Sequence, residues 1–222
     1  MHQPAGRPAA FAIIGLGLLP AAAGAGSVTV EVKDRDGQPV PEVAVYALPA
    51  APAASGGAPR ERAAMNQRGL AFDPHILVVE TGTVIDFPNS DDVRHHVYSF
   101  SPAKAFDFSI EAGKVEPGLS FDVAGLVTLG CNVHDDMLGF ILVVDTPYFG
   151  KTDGAGAVEM TDLPPGTWEL RIYTPRVAAK NLPAPIPFEL DANESITLRH
   201  RFENRLFPPH AHSETSLHWS HY

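Results

Sequence analysis

Gly130-Cys131-Asn132-Val133-His134-Asp135-Asp136-Met137 closes the apolar run Leu126-Val127-Thr128-Leu129, and this stretch decides how the chain is read. It sets a thiol, an imidazole and a thioether on one tight loop at the end of a predicted strand. Soft sulfur together with imidazole selects copper over calcium or magnesium. A second imidazole has to come from elsewhere, and Asn89-Ser90-Asp91-Asp92-Val93-Arg94-His95-His96-Val97 offers two at the start of another predicted strand. Two His and one Cys in a trigonal set, with a long axial Met, form the donor set of a type 1, or blue, copper centre. Thiolate and thioether suit Cu(I), nitrogen suits Cu(II), and a rigid compromise lets the metal change oxidation state with little movement. The expected ligands of one copper ion are Cys131, His134 and Met137, with His95 or His96 as the fourth. Each has a plainer reading: a buried thiol for Cys131, a surface histidine for His134, core packing for Met137 and a structural histidine for either of the pair.

Outward from that loop the sequence reads as β structure. Short apolar runs are separated by Gly, Pro, Asn and Asp, and no long helical period stands out. Strands are predicted over 69–72, 76–80, 83–87, 95–100, 106–110, 119–123, 126–130 and 140–144. Glu80-Thr81-Gly82, Pro88-Asn89-Ser90-Asp91 and Glu116-Pro117-Gly118 read as turns between them. Strands this short at this spacing predict a Greek-key sandwich or barrel over 60–146. On the near side, Val28-Thr29-Val30-Glu31-Val32 alternates, Asp34-Arg35-Asp36-Gly37 turns, and Val43-Ala44-Val45-Tyr46 follows. An Ala/Pro/Gly/Ser linker covers 49–59. On the far side, strands are predicted over 156–160, 167–173, 187–190 and 195–202, with Trp168 in the core.

The first 25 residues read as an export signal. Arg7 supplies the positive end, 9–19 an apolar stretch too short to span a bilayer, and Ala23-Gly24-Ala25 a small-residue cleavage site. A retained anchor is the other reading of this segment. The expectation is therefore an exported, periplasmic protein with no membrane span after cleavage. Sixteen basic groups face 26 acidic ones, for a formal charge of −10. That balance argues against nucleic acid and anionic membranes and favours cationic partners. A single cysteine in an exported chain cannot form an internal disulfide. A bound metal would occupy a thiol that an oxidising compartment otherwise attacks. Asp135 and Asp136 read as a solvated loop tip that could favour a basic partner. The 204–222 tail holds His210, His212, His218 and His221, which either capture metal or do nothing specific.

Cys131-x-x-His134-x-x-Met137 resembles the copper loop of amicyanin, a small cupredoxin. Gly82-Thr83-Val84 before Phe87, then His95-His96-Val97, resembles the first-ligand region of the plastocyanin and amicyanin group. Asp34-Arg35-Asp36-Gly37-Gln38-Pro39-Val40-Pro41 and Asp162-Leu163-Pro164-Pro165-Gly166-Thr167-Trp168 resemble the carboxypeptidase-regulatory-like, transthyretin-like β-sandwich. Taken with Asp145-Thr146-Pro147-Tyr148-Phe149, the chain resembles exported bacterial proteins of the methylamine-utilization type. The resemblance implies an all-β chain in which a cupredoxin-like copper domain at 60–146 is inserted in, or adjacent to, a discontinuous sandwich made of 26–49 and 147–203. Aligned this way, the resemblance implies that one copper ion is held by His95, Cys131, His134 and Met137, with His96 as the alternative to His95; two departures stand out, Val133 at a position usually held by Pro and His96 at one usually held by Asn.

No Ser-His-Asp order, paired catalytic carboxylates, Gly-rich phosphate loop or zinc signature is present in the sequence. A copper ion with four protein ligands leaves no open position for substrate. The expectation is a non-enzymatic, one-electron carrier whose partner is a c-type cytochrome or an oxidase. The alternatives are a cell-envelope copper chaperone or sensor, and a structural β protein whose metal only stabilises the fold.

Overall fold

The computed structural model describes residues 24–51 and 61–208. The export signal up to residue 23, most of the linker and the histidine-bearing end of the tail lie outside them. In chain order the strands are β1 (Gly26–Lys33), β2 (Ala44–Pro49), β3 (Ala63–Ala64), β4 (Asn66–Gln67), β5 (Phe72–Asp73), β6 (Ile76–Glu80), β7 (Thr83–Pro88), β8 (His95–Ser101) and β9 (Lys104–Ile110). They continue with β10 (Val115–Phe121), β11 (Gly125–Cys131), β12 (Leu138–Val144), β13 (Phe149–Lys151), β14 (Ala157–Leu163), β15 (Gly166–Tyr173), β16 (Ile186–Leu190) and β17 (Ser195–Arg201). The only helical element among the described residues is a 3-10 turn at Ala179–Asn181. The fold is all-β, as its alternating and short apolar runs require.

Four main sheets form, in the strand orders β14-β1-β17, β13-β2-β15-β16, β6-β12-β11-β8-β9 and β10-β7-β3. The two ends of the chain share the first pair of sheets: β1 pairs with β14 and β17, and β2 with β13 and β15. Thr152 ties these ends together, accepting the Val43 N–H at 3.0 Å and donating to the Val40 carbonyl at 2.7 Å. Strands β3 to β12 make the second pair among themselves. Their chain crosses repeatedly between sheets, and its early strand β6 lies parallel to its last strand β12.

Three apolar layers hold the sheets together. One lies inside the terminal sandwich and gathers Val28, Val30, Val45, Leu170, Trp168 and Phe188. Another lies inside the central sandwich and gathers Ile85, Phe87, Val97, Phe121, Val127, Leu129 and Ile141. The third joins the sandwiches: Ala44, Ile76, Val78, Phe140, Leu142 and Val144 pack there, with Tyr46, Phe149 and Tyr173 partly buried against them. Strand β12 therefore shows no alternation of burial. Ile141 and Val143 face the central core, whereas Phe140, Leu142 and Val144 face the shared layer. A strand covered on both faces has to be apolar throughout, and the run Phe140-Ile141-Leu142-Val143-Val144 is.

The structure differs from the predicted elements at three places. The 69–72 strand is instead a turn, in which Arg68 donates to the Ala71 carbonyl and Gly69 and Leu70 take φ of 64° and 61°. Only Phe72 joins a strand, the short β5. Glu116-Pro117-Gly118 is not a turn but part of β10, where the register shifts between Glu116 and Leu119. Strand β10 is an edge strand, so the missing N–H of Pro117 costs no ladder bond. Strands β3, β4 and β13 are too short to carry a periodic signal and have no counterpart in the sequence reading.

Candidate metal centre

Two loops at one end of the central sandwich carry the candidate ligands. The first runs from Asn89 to Arg94. Asn89 is buried, and its side-chain N–H group reaches the Val93 carbonyl at 2.8 Å and the Ile110 and Glu111 carbonyls at 3.2 Å. Its carbonyl oxygen accepts the Asp91 N–H at 3.0 Å. The loop is thus fixed before β8 begins. Alternation along β8 then buries His95, Val97 and Ser99 and turns His96, Tyr98 and Phe100 outward.

The second loop is the return between β11 and β12. Gly130 pairs with Tyr98 and Cys131 with Val97, so Val127, Leu129 and Cys131 face the core. The Asn132 N–H donates to the His96 carbonyl at 3.1 Å and carries the ladder one step further. The chain then turns back, with the Met137 N–H donating to the His134 carbonyl at 3.0 Å. Gly130 is required here. A Cβ on it would stand 2.5 Å from Cζ of the Tyr98 ring, which lies across this residue.

These loops bring His95, Cys131 and His134 together. Their donor atoms all lie within 4.8 Å of one another. The Cys131 Sγ is 3.7 Å from His95 Nδ1 and 3.9 Å from His134 Nδ1, and the two rings stand 5.0 Å apart. A thiolate bond of about 2.3 Å and an imidazole bond of about 2.0 Å, opened to the trigonal angle, separate S from N by about 3.7 Å. The donor types and their spacing therefore fit a copper ion held by two imidazoles and a thiolate. Met137 is buried in the same core cluster as Cys131 and borders the same cavity of about 340 Å³. His95, Cys131 and Met137 are buried, while His134 is half-buried beside an exposed Val133.

His96 lies outside this group. Its Nε2 is 2.7 Å from Asp107 Oδ1 and its Nδ1 is 2.6 Å from the Asn132 side-chain amide, so both ring nitrogens are engaged. It ties β8 and β9 to the start of the Cys131 loop. Asp135 and Asp136 are exposed at the loop tip, and Trp168 is buried in the terminal sandwich.

Sequence reasoning missed Asp91, whose Oδ2 lies 2.9 Å from His95 Nε2. Burial raises the pKa of its carboxyl, yet hydrogen bonds from the Leu70 N–H, from His95 and from the Gly69 N–H outweigh this and hold it below the usual carboxylate range. The available signal was an acid four residues before a candidate ligand, hidden inside what reads as an ordinary turn.

No protein-family model matches this chain, and neither does any curated protein. Solved structures similar to it include a purple cupredoxin from Nitrosopumilus maritimus, at 20% identity over 37% of this chain and 99% of that one, with a TM-score of 0.34. A copper-containing nitrite reductase from Thermus scotoductus SA-01 is similar at 22% identity over 45% of this chain, with a TM-score of 0.37; the match spans 26% of that enzyme. The Cu(I) form of an amicyanin variant is similar at 18% identity over 45% of this chain and 99% of that one, with a TM-score of 0.35.

Proposed function

We propose that this chain is an exported type 1 copper protein that carries single electrons, its one copper ion held by His95, Cys131, His134 and Met137. The observation that carries the reading is the Cys131–His95–His134 group, with sulfur-to-nitrogen separations at and just above the trigonal value. The chemistry that copper supplies when bound is a one-electron exchange between Cu(I) and Cu(II). The protein's part is to hold the donors still. His95 and Cys131 come from paired strands of one sheet, and the Met137 turn is closed by a backbone hydrogen bond. Little reorganisation is then demanded when the oxidation state changes.

Burial of His95, Cys131 and Met137 supports a carrier over a copper-delivery chaperone or sensor, which has to release its metal. Four protein donors leave no open position, which supports a role without catalysis. His134, the candidate ligand nearest solvent, is the natural edge for electron exchange. The net charge of −10 supports a basic partner, such as a c-type cytochrome or an oxidase. On this reading the central sandwich is a cupredoxin-like domain inserted in a carboxypeptidase-regulatory-like sandwich, as in proteins of the methylamine-utilization type. The shared sheets of the chain's two ends support that division.

The test is one equivalent of Cu(II) added to the metal-free protein, followed by optical and electron paramagnetic resonance spectra. An intense visible thiolate-to-copper band, absent in Cys131→Ser, is the expected result. Its absence in the parent protein overturns the type 1 assignment.

A further inference from the structure

The turn from β16 into β17 reads Asp191-Ala192-Asn193-Glu194-Ser195, and all five residues are exposed. An Asn with Ser or Thr two positions on is the acceptor pattern for an N-linked glycan on an exported chain. Of the six asparagines in the sequence, Asn193 alone has it. A carboxylate two positions before, on Asp191, offers a cationic binding groove a second contact.

The pattern alone is common, and its placement is what sets this one apart. The backbone reverses here: the Glu194 N–H donates to the Asp191 carbonyl at 3.2 Å, and the Glu194 carboxylate accepts the Asp191 N–H at 2.8 Å. Asn193 takes a φ of 58°, a left-handed conformation that Asn visits more readily than most residues with a side chain. Ser195 opens β17, its hydroxyl 2.9 Å from that of Ser27 on β1. The turn also joins two end strands, since β16 ends one sheet of the terminal sandwich and β17 the other. Open edges present backbone groups with which a second chain can pair, and natural proteins cover them. A bulky, solubilising group on residue 193 would stand where the two edges meet. Gly24 packs against this residue: its carbonyl accepts the Asn193 N–H at 3.2 Å, and a Cβ on it would overlap the Asn193 side chain. Cleavage behind Ala25 takes Gly24 away and bares that flank.

We propose that Asn193 is the acceptor for an N-linked oligosaccharide, added once the leader is removed, which hoods the open edges of the terminal sandwich. The inference rests on the export half of the reading above and is independent of copper. The donor is an oligosaccharide joined through its anomeric carbon to a lipid diphosphate, delivered by a membrane oligosaccharyltransferase. The Asn193 amide nitrogen bonds to that carbon and gives up a proton. The carbon–oxygen bond breaks, and the lipid diphosphate leaves with its electron pair.

Transfer in solution tests this, with the leaderless chain from Gly26 onward, a purified bacterial oligosaccharyltransferase and its lipid-diphosphate-linked oligosaccharide. Intact mass is expected to rise by one glycan, and fragmentation to place it on Asn193. Asn193→Gln and Ser195→Ala are expected to abolish the gain, and Ser195→Thr to keep it. A chain left unmodified while the enzyme glycosylates its standard acceptor peptide in the same tube overturns the proposal. In sedimentation, Asn193→Gln is expected to self-associate at concentrations where the glycosylated chain stays monomeric, and equal behaviour overturns the covering role. Failure of the export reading shows separately, as a chain that keeps its first 25 residues when expressed in a bacterium. That result overturns the proposal for the living cell even where transfer in solution succeeds.

Discussion

The terminal and central sandwiches use the same strand chemistry to different ends. In the terminal one, β1 alternates cleanly, and its layer is aliphatic and aromatic, with Trp168 donating its indole N–H to the Pro164 carbonyl at 3.1 Å. In the central one, the same alternation buries His95 and Cys131 beside Val97 and Leu129. Burying an imidazole is costly unless its nitrogens are engaged, and Asp91 engages one of them. The difference teaches that the candidate site is a core whose inward positions at one end hold an imidazole and a thiol in place of packing side chains. The other sandwich shows what such a core looks like when aliphatic and aromatic side chains fill it.

The largest expected effect breaks this contrast at its centre. With copper at a thousandfold excess over its dissociation constant, the folded state should gain about 4 kcal/mol. The melting temperature of the parent protein should rise accordingly, and that of Cys131→Ser should not. If the shared layer makes the two sandwiches one cooperative unit, Trp168 fluorescence in a Trp219→Phe background will report the same copper-dependent rise. A Trp168 transition that ignores copper would mean that the sandwiches unfold separately.

Phe140→Ala sharpens the comparison further. Phe140 is 8% exposed in the shared layer and meets the Tyr173 and His75 rings edge-on. Its loss should cost about 3–5 kcal/mol and lower both the copper-linked and the Trp168 transitions. Leu170→Ala, inside the terminal core, should cost about 2–5 kcal/mol while leaving the copper spectrum unchanged. Chemical denaturation followed by fluorescence and by the visible band checks both.

How much of this was legible follows from what each element needed. The β11 end, the Cys131 loop and the apolar run of β12 were readable because each carries its signal within a few residues. That β12 is covered on both faces was not, since a continuous apolar run does not reveal what lies on either side of it. The separate fates of His95 and His96 depend on which face of β8 turns inward, and neighbouring histidines give no local preference. Asp91 depends on the Gly69–Leu70 turn closing over it, a pairing across more than twenty residues. The misplaced 69–72 strand has the same cause: its backbone amides serve a distant carboxylate rather than a neighbouring strand.

A smaller effect is expected at Gly130→Ala. The new methyl group would force the Tyr98 ring aside, costing about 1–3 kcal/mol, and would displace Cys131 next to it. A shifted visible band, with the terminal sandwich's melting changed only by that amount, is the expected readout.

The smallest is a pH effect confined to the terminal sandwich. Burial of His200 on β17 lowers its pKa from the ordinary value, with Glu203 opposing. The unfolded chain then binds this proton more readily than the folded one. Nothing is lost above about pH 6.5, and stability falls as the pH drops below that value toward the folded pKa. His200→Phe should flatten this part of the pH profile in melting experiments between about pH 7.5 and 5.

The two-faced strand β12 has one more consequence. Trimming the gene to the central sandwich would strip the cover from Ile76, Val78, Phe140, Leu142 and Val144 at once. The excised piece would present a broad oily wall to water, the kind of surface through which proteins stick to one another. Any attempt to shrink this molecule to a minimal module bearing the candidate metal centre has to repaint that wall with polar side chains first.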